Sequence, residues 1–195
     1  MNFEKIIGRF QNLGYTVHAF ADRDAAVEYI NAAIDKKTVG LGGSMTLEEI
    51  KLFYKLQSHN TVYSHLHGFP AGPEAATAQI YISSVNGISQ TGELVLIDGD
   101  GNRTSAVLFG HEKVYFVIGR NKMTNSYEEA LWRARNIAAP KNAQRKCKKT
   151  PCAQNSGCCC DCNAPERICN VMITLWRPVS SMQMELIFID EELGF

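Results

Sequence analysis

The stretch from Pro151 to Asn170, PCAQNSGCCCDCNAPERICN, contains six of the chain's seven cysteines, and Cys147 lies just upstream. Thiolates are soft ligands that select zinc or an iron–sulfur cluster over hard cations. Four of the cysteines form a candidate ligand set, with five, three and six residues between neighbours: Cys152, Cys158, Cys162 and Cys169. The sequence therefore predicts a thiolate-bound zinc ion or iron–sulfur cluster, and the spacing does not separate the two.

An unliganded, reactive cysteine loop is the alternative to a metal site. Cys160 and Cys162 are one residue apart, so the double CxxC pattern of many zinc sites is absent from the sequence, and no histidine lies nearby. Lysines and an arginine flank the segment, and they would offset a negative thiolate site or lower the pKa of free thiols. The role of Cys147 stays open.

A glycine-rich turn, VGLGGSMT, joins a predicted strand to a predicted helix at residues 39–46. The backbone N–H groups of such a turn, and the N-terminus of the helix that follows, can hold a phosphate or carboxylate. The stretch is not a Walker loop, since no Gly-Lys-Ser follows, and it lacks the full dinucleotide fingerprint. The alternative is a tight turn in which Ser44 or Thr46 only caps the helix.

Further polar residues fall at strand ends or in glycine-rich turns. Asn86, Asp98, Asn102 and Arg103 occupy such positions, where open α/β sheets tend to bind their ligands. Arg103 offers a planar guanidinium to a carboxylate or phosphate. Lys122 follows a later strand and adds a cation at what should be the same edge. Alternatively, Asp98 and Asn102 shape a turn, and Arg103 pairs with a surface carboxylate.

The elements that must position these residues follow from the spacing of apolar residues. Strand-like and helical segments alternate along the chain, which predicts a Rossmann-like α/β fold, a largely parallel sheet with helices on both faces. Strands are predicted at residues 15–20, 38–44, 61–65, 80–85, 93–98, 113–119, 171–176 and 184–190, and helices at 2–13, 21–34, 47–56, 72–79, 102–109 and 126–139, the last closed by Pro140.

We expect a single domain over residues 1–195, with a polar, cysteine-rich insertion at residues 141–170. The last two strands should return the chain to the main sheet. A loop of this length inside a domain usually indicates function, disorder or an external clamp, and the cysteines favour a metal clamp.

Composition limits the classes of function. Among 195 residues, Lys plus Arg and Asp plus Glu number 20 each, and 45% are hydrophobic, so nothing indicates binding to nucleic acid or to a membrane. The N-terminal residues lack the apolar core of a signal peptide. These features predict a cytoplasmic protein, in which thiols stay reduced, so the odd number of cysteines does not indicate a disulfide framework.

Together these motifs resemble the LUD (lactate-utilisation) domain family in its short form. The resemblance covers nearly the whole chain, and its most specific features are an Asp-Gly-x-Gly-Asn-Arg run and an Arg-Ile-Cys-Asn run. The matching stretches are Gly40–Thr46, Ser84–Ser89, Gly92–Glu93, Ile97–Arg103, Phe109–Gly110, Gly119–Lys122, Arg133–Asn142, Pro151–Cys152, Gly157–Cys158, Asp161–Cys162, Pro165–Asn170 and Glu192–Phe195.

The family is similar to the superfold of ribose-5-phosphate isomerase, glucosamine-6-phosphate deaminase and coenzyme A transferases, whose first glycine turn binds phosphate or acyl groups. The resemblance therefore implies a ligand role for Gly42, Gly43, Ser44 and Thr46. It supplies no catalytic residue, and Glu93 is the nearest candidate.

The two extra cysteines, Cys159 and Cys160, depart from the single-cysteine positions of the family. Either of them replaces Cys158 as a ligand, or neither binds.

Three functions follow from these expectations. The first is a protein that binds a small anionic ligand beside a thiolate-bound metal or cluster and serves organic-acid (lactate) oxidation or electron transfer, with iron–sulfur redox proteins as partners. The second is an isomerase or acyl/CoA transferase acting on a phosphorylated sugar or coenzyme A ester, with a structural zinc. The third is a redox-sensing interaction module. A homo-oligomer is compatible with all three.

Overall fold

The chain is described by a computed structural model that covers residues 3–67 and 73–195. Residues 2 and 72, with which two of the predicted helices begin, lie outside the described residues. The α-helices within them are α1 (Phe3–Asn12), α2 (Arg23–Ala33), α3 (Met45–Glu49), α4 (Leu52–Leu56), α5 (Pro73–Ala76), α6 (Asn102–Ala106), α7 (Tyr127–Arg133) and α8 (Ala139–Arg145), and Cys152–Ser156 in the insertion is π-helical.

The strands in the same residues are β1 (Thr16–Phe20), β2 (Thr38–Leu41), β3 (Thr61–Ser64), β4 (Ile80–Ser83), β5 (Gly87–Ser89), β6 (Leu94–Asp98), β7 (Lys113–Gly119), β8 (Met123–Thr124), β9 (Val171–Leu175) and β10 (Gln183–Ile189). Two short strands, β5 and β8, are absent from the sequence-based prediction because two or three residues are too few to show an alternating pattern.

The main sheet confirms the predicted fold class. In the described residues its six strands are all parallel, in the order β1-β10-β7-β4-β2-β3. The central strands β7 and β10 are buried along almost their whole length, as expected for a parallel sheet covered on both faces. One apolar core contains Phe10 of α1, and the other contains Ile30 of α2 and Leu56 of α4.

A second, smaller sheet corrects the predicted path of the chain. Four of the described strands form it in the order β8-β5-β6-β9, with β6 antiparallel to both β5 and β9. The expectation that both closing strands join the main sheet is therefore wrong for β9 and right for β10. Because the first four residues of β9 are exposed or only partly buried, this strand suits the edge of a sheet with one solvated face.

The predicted helix end at Pro140 is also wrong. A π-helical segment, Ala134–Ala138, follows α7, and α8 then continues the helix to Arg145, with Pro140 in its first turn. A proline there needs no N–H donor, and the wider π turn accommodates its ring. The first five residues of the predicted insertion are consequently helical.

Candidate functional site

The glycine turn after β2 is shaped by close packing. A Cβ atom on Gly42 would lie 2.8 Å from Tyr81 Oη and 3.0 Å from Ser83 Oγ, so only glycine fits. The Gly42 N–H donates to the Ile82 carbonyl at 2.9 Å and is not available to a ligand. Within the described residues, the N–H groups of Gly43 and Ser44 have no acceptor. The turn therefore offers two amides, and the helix behind it, α3, has only five residues.

Neither predicted capping residue caps α3 through its side chain. Ser44 precedes the helix without a side-chain capping bond to any described residue. The Thr46 hydroxyl is buried and donates to the Leu193 carbonyl at 3.2 Å. The same oxygen accepts a hydrogen bond of 2.6 Å from Lys122 Nζ. Thr46 thus joins the glycine turn to the residues that follow β7 and β10.

Lys122 lies in a short 3₁₀ turn after β7 and is buried, with a relative exposure of only 3%. Besides Thr46, its ammonium group donates to Ser84 Oγ at 2.8 Å, and it forms no ion pair within the described residues. Burial is the largest cause of a pKa well below the ordinary lysine value, and the charges of Arg133 and Arg103 add to it. The sequence-based expectation that Lys122 shares an edge with the glycine turn is correct.

A second buried cation, Arg133 of α7, supports the site from behind. Its Nη1 donates to the Asn86 carbonyl at 2.5 Å and its Nε to the Asn121 carbonyl at 2.7 Å. Burial lowers the pKa of Arg133 to about 10, which leaves the guanidinium charged at neutral pH. The Asn86 side chain accepts from the Ile97 amide at 2.8 Å. These bonds hold β5 and β6 against α7. They also place the positive charge of Arg133 near the site, and no carboxylate of the described residues forms an ion pair with it.

Asp98, at the end of β6, is committed to the local turn. Its carboxylate accepts hydrogen bonds from the amides of Gly99 (2.8 Å), Arg103 (2.8 Å) and Thr104 (3.1 Å) and so caps the start of α6. The Arg103 guanidinium donates to the Ile97 carbonyl at 2.5 Å and lies 3.9 Å from the Asp98 carboxylate. Arg103 therefore pairs with a buried carboxylate and not with a surface one, and the alternative in which Asp98 shapes a turn describes the geometry better.

Two neighbouring cavities adjoin these residues. The inner cavity, of about 40 Å³, is lined by the turn residues Gly43 and Ser44 and by three basic residues, Arg103, Lys122 and Arg145. No aspartate or glutamate side chain of the described residues lines it, and Phe195, the last residue of the printed sequence, lines it as well. The positive charge of the two arginines favours an anionic occupant, because a guanidinium forms strong, charge-assisted hydrogen bonds with a carboxylate or phosphate.

The outer cavity, of about 520 Å³, lies beside the inner one and shares Gly43, Asn86, Arg103, Ala138, Asn142 and Arg145 with it. Asn102 also lines it, and the Asn102 amide lies 3.0 Å from His65 Nε2. Cations outnumber carboxylates along its walls, and a cavity of this size holds a small metabolite. The predicted residues after β2, β4, β6 and β7 are thus brought to one place, between the edge of the main sheet and the small sheet.

The cysteines converge on a third cavity beside the outer one. Of the seven thiols, all in the described part of the chain, none forms a disulfide. Five of them line this cysteine cavity together with Arg135 and Arg167: Cys152, Cys159, Cys160, Cys162 and Cys169. Arg167 and Ile168 line both it and the outer cavity, so the two spaces are neighbours.

Cys158 differs from the other three predicted ligands in its location. It is exposed and does not line the cysteine cavity, whereas Cys159 is half-buried there. The Cys159 sulfur accepts from Arg135 Nη2 at 3.7 Å and from the Asp161 amide at 3.4 Å. Arg167 Nε lies 3.2 Å from the Cys169 sulfur. Two arginines therefore donate to cavity thiols, which is a suitable environment for thiolates.

The cysteines are near one another but are not arranged as a closed metal site. Within residues 3–67 and 73–195, no three Cys, His, Asp or Glu side chains stand in position to hold an ion. The donor chemistry suits zinc or an iron–sulfur cluster, and the segment would have to close around either.

Glu93, the nearest sequence candidate for a catalytic carboxylate, lies at the opposite end of β6 from Asp98. Its carboxylate accepts hydrogen bonds from the hydroxyls of Ser89 and Thr91 in the turn between β5 and β6. It lines neither the inner nor the outer cavity. Glu93 therefore organises a turn remote from the anion-binding residues.

Several residues of the site were missed by sequence reasoning. Arg133 lies in a predicted amphipathic helix and Arg145 in the predicted cysteine-rich insertion, and neither was singled out as a site residue. Ser84 and Tyr81 lie in or beside an apolar strand. Cys159 and Cys162 form a CxxC pair in the sequence, and the ligand set chosen from spacing names Cys158 while leaving its replacement by Cys159 open.

The geometry can be compared with known proteins. The family model of the LUD domain matches residues 3–189 of the chain. Among solved structures, the crystal structure of a DUF162 family protein from Deinococcus radiodurans is similar, with a TM-score of 0.55 and 8% sequence identity over 94% of each chain. This likeness shows a shared fold.

Ribose 5-phosphate isomerase A from Neisseria gonorrhoeae matches with a TM-score of 0.35 and 16% identity, over 54% of this chain and 53% of that one. No curated protein sequence matches the chain. Within the described residues, no helix is both long and apolar enough to span a membrane.

Proposed function

Because the chain belongs to the LUD (lactate-utilisation) domain family, we propose that it binds a small carboxylate or phosphate in the inner cavity and serves organic-acid oxidation. The observation that carries the proposal is the charge of that cavity: two arginines and a buried lysine line it, and no aspartate or glutamate side chain of the described residues does. An anion would supply the missing counter-charge, with charge-assisted hydrogen bonds from the two arginines.

The roles of the individual groups follow from their contacts. The amides of Gly43 and Ser44 are without acceptors in the described chain and would donate to the anion. Among the described residues, Arg145 donates to Asn142 and to no other side chain or carbonyl, while Arg103 is already positioned by the Ile97 carbonyl. The remainder of a larger ligand would extend into the outer cavity. The alternative of an isomerase or transferase gains no support, since Glu93 lines neither cavity.

The test is calorimetric titration of the protein with inorganic phosphate, L-lactate and pyruvate. We expect one site, and we expect Arg145→Gln and Arg103→Gln each to weaken binding by about 1.5 to 3 kcal/mol, the range for hydrogen bonds to charged groups. Arg177→Gln is the matched control, because Arg177 is an exposed arginine that lines neither cavity. Equal affinities in all four proteins would contradict the proposal.

The cysteine cavity supports a second element of the proposed function, a thiolate-bound metal or iron–sulfur cluster. We assign the ligands as Cys152, Cys159, Cys162 and Cys169, with Cys159 in place of Cys158, because these four line one cavity and two of them accept hydrogen bonds from arginines. Such a group would supply electron transfer if it were an iron–sulfur cluster, with iron–sulfur proteins as partners, or rigidity if it were zinc.

Anaerobically purified protein distinguishes these cases through its visible spectrum and its iron, zinc and sulfide content. Iron and sulfide with visible absorbance would support electron transfer beside the anion site. Zinc alone would support a structural clip. Protein free of both metals, with thiols that oxidise reversibly, would contradict the metal site and support a redox sensor.

A further inference from the structure

Lys122 is the one lysine that lines the inner cavity among the described residues, and its hydrogen bonds limit its protonation state. The Thr46 hydroxyl donates to the Leu193 carbonyl, so its oxygen can only accept from Lys122. Ser84 Oγ accepts the second hydrogen bond. A neutral amine has two N–H bonds, which these two oxygens satisfy, and one lone pair left over. An ammonium would carry a third N–H that lacks an acceptor in the described chain.

The surroundings of Lys122 favour the neutral form. Burial and the charges of two arginines, Arg133 and Arg103, lower its pKa. The one carboxylate that acts against them, Glu49, is the smallest of these influences and already accepts from the Gly194 amide at 2.8 Å. A buried amine beside other cations is how proteins make a lysine nucleophilic.

The inner cavity also holds what a particular class of substrate would need. Arg103 and Arg145 line the same cavity as Lys122, and that cavity is small, at about 40 Å³. A carboxylate held by the arginines would therefore place the adjacent carbon atom near the amine. The outer cavity leaves room for the substituent on the other side of that carbon.

We propose that the Lys122 amine condenses with the ketone carbon of a small 2-oxo carboxylate whose carboxylate group lies on Arg103 and Arg145. The proposal rests on the proposed function, because it uses the same anion site, and it adds the class of ligand and a covalent step. The two arginines orient the acid, and the buried amine supplies the nucleophile.

The step balances without an oxidant or reductant. The nitrogen lone pair forms a bond to the carbonyl carbon while the π electrons move to oxygen, and a proton passes from nitrogen to that oxygen. The resulting hydroxyl leaves as water after protonation by solvent, and the nitrogen lone pair forms the C=N bond. The products are a protonated imine and water. Ser84 lies 2.8 Å from Nζ and can relay the proton, and the substrate carboxylate balances the new positive charge.

The test traps the imine by reduction. The protein is incubated with pyruvate and sodium cyanoborohydride, and the modified residue is located by peptide mass mapping of the wild-type chain. We expect one N-(1-carboxyethyl) group per chain, on Lys122. Modification spread over exposed lysines such as Lys141, or no modification, would overturn the inference. Because the mapping uses the wild-type protein, it does not depend on the folding of a variant.

Two further measurements separate this inference from the proposed function. Inorganic phosphate binds the anion site but has no carbonyl, so it should protect Lys122 from trapping in competition with pyruvate. Phosphate binding without a trapped adduct would overturn the imine and leave the anion site standing, whereas failure of phosphate and pyruvate to bind would overturn both. The Lys141→Met variant should form the reduced adduct on Lys122 as fast as the wild type does, and the Ser84→Ala variant should form it more slowly.

Discussion

Lys122 Nζ and Thr46 Oγ1 lie 2.6 Å apart in the interior and join the turn after β2 to the turn after β7. The bond exists because both turns end strands of one parallel sheet at the same edge. It fixes the amine next to the glycine turn. Among the described side chains, Ser84 is the second acceptor of that amine.

Removing the Thr46 hydroxyl should destabilise the fold. In Thr46→Val the Lys122 amine loses an acceptor and the Leu193 carbonyl loses a donor, all in a buried location. We expect the free energy of unfolding in urea to fall by about 1 to 3 kcal/mol, the cost of unsatisfied buried polar groups. Thr46→Ser keeps the hydroxyl and serves as the control. Equal losses in the two variants would show that the methyl group, not the hydroxyl, matters.

The burial of Lys122 predicts a dependence of stability on pH. Its pKa in the folded protein lies below the ordinary value of 10.5, so between these two values the unfolded chain holds one more proton than the folded protein. The contribution of Lys122 to the free energy of unfolding should therefore rise with pH in this window, by up to about 1.4 kcal/mol per pH unit, and level off above it.

Lys122→Met provides the comparison for that prediction, because it removes the titrating group and keeps most of the volume. The difference in the free energy of unfolding, wild type minus variant, should increase with pH through the window. If the free energies of unfolding of the two proteins changed in parallel with pH, the pKa of Lys122 would be the same in the folded and unfolded chains. That result would contradict the prediction.

The Asp98 carboxylate should stabilise the fold through the amides it accepts from. Asp98→Ala leaves the N–H groups of Gly99, Arg103 and Thr104 without this acceptor. It also removes the negative charge that lies beside the Arg103 guanidinium. We expect a loss of about 1.5 to 3 kcal/mol in the free energy of unfolding. The exposed neighbour Asp100 gives the control, Asp100→Ala, which should stay near wild type. A similar loss in both would contradict the capping role of Asp98.

The location of the cysteines predicts which thiols retain metal. Cys159→Ser should lower the zinc or iron content per chain after anaerobic purification, because Cys159 lines the cysteine cavity. Cys158→Ser should leave the content unchanged, because Cys158 is exposed outside it. Elemental analysis of the two variants and the wild type decides the matter. Loss of metal in the Cys158 variant alone would restore the ligand set that spacing first suggested.

The sequence alone determined the fold class and the family. Apolar residues repeat with a period of two in strands and near 3.6 in helices, and those periods depend only on local backbone geometry, so the alternation of elements was readable. The sequence also predicted that the glycine turn, Arg103 and Lys122 lie at one edge of the sheet, because residues that follow parallel strands must meet there. That logic brought Lys122 to Thr46 across 76 residues of chain.

Only the tertiary structure decided which pairings the short strands make and which charges are buried. The partner of β9 is β6, and the two segments lie more than seventy residues apart, so no local period could reveal a second sheet. The sequence pattern predicted only that Arg133 belongs to an amphipathic helix, whereas in the structure Arg133 is buried and donates to the Asn86 carbonyl. Likewise Cys158 and Cys159 are adjacent and chemically identical in sequence. Which of them faces the cavity depends on the path of the backbone, and that path is set by contacts with distant residues.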